Sequence, residues 1–156
     1  MAIAITLKEY LDNRGLSYEV IQHPRTDSTL MSSQAAHVPG DRMAKSVLLG
    51  DEESYLMAII PATHHLDIGH LSRLTHRKLE LIEEDELVDA FFDCEPGAVP
   101  PAGMAYGIHT IADSSLTAQP DIYFESGDHT RLIHITGESF RSLVDETAEE
   151  QISHHL

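Results

Sequence analysis

The stretch AKSVLLGDEESYLMAIIP, residues 44–61, decides the fold. Two apolar runs, 44–49 and 55–60, flank the polar turn Gly50-Asp51-Glu52-Glu53, and this pattern predicts a β-hairpin. A hairpin makes an antiparallel pair, which argues against an all-parallel sheet. Pro61 ends the second strand because it has no N–H to give to a ladder. One residue is out of keeping with the first strand. Lys45, one of three lysines with Lys8 and Lys78, opens it just ahead of Val47-Leu48-Leu49. The ammonium either snorkels to water on a buried stem or binds an anion, and composition leaves both open.

Upstream of the hairpin, Thr6-Leu7-Lys8-Glu9 has the pattern of a capping box. It predicts a helix through Leu7, Tyr10 and Leu11 that stops at Gly15. Residues 17–22 predict a strand ended by His23-Pro24, and residues 29–37 a short helix closed by Val38-Pro39-Gly40. Downstream, the spacing predicts a helix at 67–74, a short strand at 78–82 and a helix at 83–92 with acidic residues in its first turn. Residues 94–103 hold three prolines and two glycines and predict a shaped loop. Strands follow at 105–111, 122–125 and 132–135, and a last helix at 138–144. Strands outnumber those of a simple βαβ alternation, so the prediction is one α+β domain with a mixed sheet over residues 1–144. Residues 145–156, with Asp145, Glu146, Glu149 and Glu150, read as an acidic C-terminal tail.

Composition narrows the function. A chain of 156 residues can bury one real core. A net charge of −16, from 26 acidic and 10 basic side chains, argues against non-specific nucleic-acid binding and so against DNA. A cleft can still be locally positive. No apolar run reaches the roughly 18 residues of a membrane span, and the first residues lack a basic leader. The single cysteine, Cys94, excludes an internal disulfide and fits a cytoplasmic protein. Eleven histidines include the pairs His64-His65 and His154-His155, but neighbours on regular structure do not face one another. There is no HExxH and no cysteine partner for Cys94, so no metal or cofactor is expected. G-x-S-x-G elbows and glycine-rich phosphate loops are missing as well. Cys94 alone reads more readily as a small buried hydrophobe than as a nucleophile.

Three features remain. Lys45 is the first. The second is the loop of residues 95–103, whose paired prolines and flanking glycines suit either a rigid pocket wall or a plain connector. The third is Glu125-Ser126-Gly127-Asp128-His129, a polar turn that offers a small residue, a hydroxyl and an imidazole together. Taken in order, these features resemble the YbaK / aminoacyl-tRNA synthetase-associated domain family, which includes free-standing proteins that hydrolyse mischarged tRNA. The resemblance runs from His23 to Val144. It includes Ala35-Ala36-His37-Val38 ahead of Met43-Ala44-Lys45-Ser46, then Ile60-Pro61-Ala62, Phe92-Asp93-Cys94-Glu95-Pro96-Gly97 and Phe124-Glu125-Ser126-Gly127.

The resemblance implies a single α+β domain with a mixed, largely antiparallel, barrel-like sheet flanked by helices. It also implies trans-editing: metal-independent hydrolysis of the aminoacyl ester at the tRNA 3′ end, with no conventional nucleophile. A ribose hydroxyl of the tRNA would help place the water. The family's lysine matches Lys45, its Gly-x-x-x-Pro loop matches Gly97 to Pro101, and its small-residue/Gly turn matches Ser126-Gly127. Lys45, Gly97 and Pro101 are thereby implied as catalytic. Arg42, Ser46, Ala98, Val99, Pro100, Ser126, Gly127 and His129 are implied as substrate-binding. Arg42, Lys45 and Arg131 would form a small positive pocket for the single-stranded acceptor end. Two positions depart from the pattern. Pro101-Ala102-Gly103 replaces Pro-Phe-Gly, which removes an aromatic wall, and Ser46 stands where some alanine-specific members carry asparagine. The implied partners are the aminoacyl-tRNA acceptor end and an aminoacyl-tRNA synthetase or signalling domain. The alternative is a non-catalytic module that senses an aminoacyl or nucleotide ligand.

Overall fold

The computed structural model describes residues 4–26, 29–83, 86, 90–95, 98–144 and 148–155. In chain order its elements are α1 (Ile5–Asn13), β1 (Glu19–Gln22), α2 (Thr29–Ala35), β2 (Met43–Gly50), β3 (Tyr55–Pro61), β4 (His64–Leu66) and α3 (Ile68–Thr75). There follow β5 (Glu80–Leu81), β6 (His109–Asp113), α4 (Ser114–Thr117), β7 (Asp121–Glu125), β8 (Arg131–Thr136), α5 (Gly137–Leu143), β9 (Ala148–Glu150) and β10 (Ser153–His155).

The expected hairpin is the middle of the sheet. β2 and β3 pair antiparallel from Ala44–Pro61 to Gly50–Tyr55, and the full order is β1-β8-β7-β2-β3-β6-β9, with β5 added on β2. Pairs β1–β8, β7–β8, β2–β3 and β2–β5 are antiparallel, whereas β2–β7, β3–β6 and β6–β9 are parallel. The sheet is therefore mixed, as expected. It does not close into a barrel, because its outer strands β1 and β9 do not pair.

Apolar residues at alternate positions give the sheet two buried faces. Ala44, Leu48, Met57, Ile59 and Phe124 pack with Leu7 and Leu11 of α1 and Phe140 of α5. Leu49, Leu56, Ala58 and Ile60 pack on the other side with Leu71 of α3 and Ile152.

Several sequence expectations are corrected. Thr6 does not cap α1; Ala4 stands at the cap without a side-chain bond, and the Thr6 N–H goes to Asp93 Oδ2 at 2.8 Å. A distant carboxylate replaces the local box. β6 begins at His109, because Gly103–Tyr106 forms a 3-10 turn in which Gly103 is pressed against Thr110 Oγ1 and the Ile108 carbonyl. Of the helix expected at 83–92, residues 84–85 and 87–89 lie outside the described residues, and 90–93 form a turn. The acidic tail is integrated into the domain: β9 pairs with β6 and β10 with β4. Asp113 Oδ1 accepts the N–H groups of Ile152 (2.8 Å) and Ser153 (3.0 Å), and Ile152 is fully buried. The sequence-adjacent histidines become cross-strand neighbours, His64 opposite His155 and His65 opposite His154. No helix among the described residues is long and apolar enough to cross a membrane.

Candidate functional site

Lys45 and Ser46 lie on β2 where that strand leaves its partner β7. Ser46 Oγ donates to the Val99 carbonyl at 3.0 Å, which ties β2 to the proline loop. The other end of that loop is tied to the turn after β7. The Glu95 N–H donates to the Gly127 carbonyl at 2.7 Å, and Glu95 Oε2 accepts the His129 N–H at 3.2 Å. Three segments far apart in sequence (45–46, 95 with 98–101, and 126–129) are thus brought to one end of the sheet.

The described part of the loop wall is packed into the domain. Ala98, Val99, Pro100 and Pro101 are buried. The Ala98 N–H is spent on the Glu95 carbonyl at 3.1 Å and the Ala102 N–H on the Pro100 carbonyl at 2.8 Å. The two prolines have no N–H to offer. That leaves the Val99 N–H without an acceptor among the described residues, although Val99 is only 6% exposed. Unpaired N–H groups at buried positions are rare. Gly97 lies outside the described residues. Ala102 does not widen an open pocket; it is fully buried and packs in the main core.

The turn is built for backbone geometry. Gly127 has φ of +112°, and a Cβ there would stand 2.8 Å from the Ala4 Cβ. Ser126 is buried, its Oγ donating to the Arg131 carbonyl at 2.9 Å and its carbonyl accepting the Ala4 N–H at 2.8 Å. His129 is buried, and its carbonyl accepts the Thr26 N–H at 3.3 Å. The Ser126 side chain and the His129 backbone both brace the turn from inside.

Of the three cations expected to form a positive pocket, two face carboxylates among the described residues. Arg42 lies 3.9 Å from Asp121, and Arg131 makes a 2.9 Å pair with Asp128. Lys45 makes no ion pair or hydrogen bond with any described residue, and half-burial draws its pKa below the usual lysine value. A surface cleft of about 700 Å³ lies elsewhere, at the β2–β3 turn. Its lining mixes the acids Asp51, Glu52, Glu53, Glu80 and Glu86 with Arg77 and Lys78, and Arg77 is paired with Asp51.

Sequence reasoning missed three carboxylates. Glu95 organises the turn and pairs with Arg25 at 3.2 Å. Asp93 holds the α1 N-terminus and accepts the Tyr106 hydroxyl at 2.9 Å, with half-buried Cys94 alongside. Glu125 is buried at the end of β7. No local pattern marks these roles, because each depends on a partner distant in the chain or on the strand register. Among the described residues, no three His, Cys, Asp or Glu side chains are grouped to hold a metal ion.

Fold and site together define an α+β domain that presents one desolvated lysine beside a proline-walled loop. A model of the aminoacyl-tRNA editing domain matches residues 23–143, and the chain belongs to that family. No curated protein matches the chain. Among solved structures it is similar to a candidate trans-editing enzyme for prolyl tRNA synthetase, at 20% identity and a TM-score of 0.83 over 97% of this chain and 96% of that one. A candidate signal transduction protein from Marinobacter aquaeolei VT8 is similar at 18% identity and a TM-score of 0.77, over 96% of this chain and 30% of that one. A designed scaffold presenting a grafted linear epitope is similar at 20% identity and a TM-score of 0.82, over 98% of this chain and 97% of that one. At these identities the likeness is one of fold.

Proposed function

We propose that this chain is a trans-editing deacylase that hydrolyses the ester between an amino acid and the 3′ end of a mischarged tRNA. The observation that carries the reading is Lys45: a half-buried ammonium with no acid paired to it among the described residues, in a chain of net charge −16. A cation left unpaired in such a protein is available for an anion, and the acceptor end supplies a phosphate. The Val99 N–H belongs to the same residue whose carbonyl holds Ser46. It is the donor available to an ester carbonyl as negative charge develops there, the role of an oxyanion donor. Pro100 and Pro101 hold that donor fixed, so little reorganisation accompanies the reaction. Water is the nucleophile in this scheme, placed by the bound substrate and held in line by the fixed ester.

A panel of aminoacyl-tRNAs tests this. At least one is expected to lose its amino acid well above the spontaneous rate, and Lys45→Ala is expected to lower that rate by about 100-fold. Finding every charged tRNA stable in the presence of the wild-type protein would overturn the enzyme reading. Tight binding of an aminoacyl or nucleotide ligand in the same assay would then favour the sensing module, a reading prompted by the signal transduction protein of similar fold.

A further inference from the structure

Strand register places a second group beside Lys45, and it is an acid. β2 and β7 run parallel with Met43 opposite Tyr123 and Ala44 opposite Phe124. The next residue on each strand is Lys45 and Glu125, both still within their strands. Side chains alternate along a strand, so these two, one residue past the last paired positions, leave the same face of the sheet. Glu125 is 2% exposed, and neither of its carboxyl oxygens meets full hydrogen-bond geometry with a described residue, although the Ser32 hydroxyl is close enough to favour the charged form. Ser32 of α2 is near it, fully buried and sharing a 2.5 Å hydrogen bond with the Thr26 hydroxyl. A lysine and a carboxylate at adjoining positions would ordinarily pair. Here no ion pair forms, which is the arrangement expected of a neutral acid.

We propose that Glu125 is a positioning residue whose proton decides where Lys45 points. As the neutral acid it leaves the ammonium free for the anionic end of the substrate. As the carboxylate it draws the ammonium into a buried pair and takes the cation out of the site. Burial holds the Glu125 carboxyl up at about 8, with the charge of Asp128 pushing the same way and Ser32 opposing. Leu132 stands opposite it on β8, Lys45 is one residue past the last β2–β7 pair, and the flanking segments carry the buried residues His23 and His129. The consequence for catalysis rests on the deacylase reading, whereas the switch itself does not.

Carbon NMR on the full chain, labelled at lysine Cε and glutamate Cδ, tests the switch without substrate. With three lysines the Lys45 signal is assignable by its loss in Lys45→Arg. In the wild type it is expected to shift with a midpoint near that of the Glu125 carboxyl, and in Glu125→Gln that midpoint is expected to vanish. Identical Lys45 titrations in wild type and Glu125→Gln would overturn the proposal. So would a Glu125 carboxyl that titrates in the ordinary carboxylate range, a measurement that needs no variant. Deacylation, corrected for spontaneous hydrolysis, is expected to fall about tenfold between pH 7 and 9 in the wild type, and Glu125→Gln is expected to keep most of its rate over that range. Matching pH profiles for the two proteins would also overturn the proposal. If neither protein deacylates any tRNA while the shared NMR midpoint is present, the deacylase reading fails and the switch stands.

Discussion

Glu125 makes the fold itself depend on protons. Folded, its carboxyl keeps a proton to about pH 8; unfolded, it releases it near its ordinary value of 4.5. Between those values the native state binds more protons than the unfolded chain. Stability therefore falls as pH rises through that window and levels off above it. Glu125→Gln keeps the shape and cannot ionise, so it is expected to flatten the slope. Variant and wild type should melt nearly together at pH 5, with the variant several degrees higher at pH 8.5. A wild-type melting temperature that is level from pH 5 to 8.5, with other titrations matched in the variant, would contradict the buried neutral acid. Lys45 was legible in the sequence because an ammonium breaks an apolar run. Glu125 was not, since an acid before Ser126-Gly127 reads as one more polar residue of a turn. Only the pairing of Phe124 with Ala44 shows that it still belongs to the strand and stands beside the lysine.

At the scale of elements, the strands and helices with strong periodic patterns came through from sequence. β2, β3 and α3 fall within a residue or two of their expected bounds, and Asp67 caps α3 by accepting the His70 N–H at 3.0 Å. The failures share one cause: a long-range partner outweighed the local signal. Asp93 displaced the Thr6 capping box, and Asp113 turned an apparent acidic tail into structure. Burial works to raise the Asp113 pKa. Hydrogen bonds from Ser115, from the Ile152 backbone and from Ser153 outweigh it, so the carboxyl stays below its ordinary value. The stabilisation is therefore present above the unfolded pKa and is lost only as pH falls through the depressed one. Asp113→Ala leaves the Ile152 and Ser153 N–H groups without their acceptor and is expected to cost about 3 kcal/mol. Hydrogen exchange locates the effect. Amides of β4, whose partner is β10, should exchange faster in Asp113→Ala, while those in the middle of the β2–β3 pair change only with global stability. Equal protection of β4 in both proteins would show that the C-terminal segment holds without this clamp.

The whole molecule sets a conflict between a net charge of −16 and a polyanionic substrate. Long-range repulsion acts on the approach of tRNA, and salt relieves it, since the screening length is about 10 Å at 0.1 M. Phosphate contacts act the other way, each contributing about −0.7 to the slope of log affinity against log salt for single strands. With Arg42 and Arg131 facing carboxylates, Lys45 is, among the described residues, the site cation with no acid paired to it. The two effects offset, so kcat/KM is expected to depend only weakly on salt between 50 and 200 mM, with a slope no steeper than about −1.5. Lys45→Ala should move the slope by about 0.7 in the positive direction and leave a rate that is level with salt or rises with it. Initial-rate measurements on the most sensitive aminoacyl-tRNA, with wild type and variant at matched ionic strengths, give both numbers. A wild-type slope of about −3 or steeper would require several more phosphate contacts. It would mean that arginines leave their carboxylates on binding, and that the single-cation site described here is incomplete.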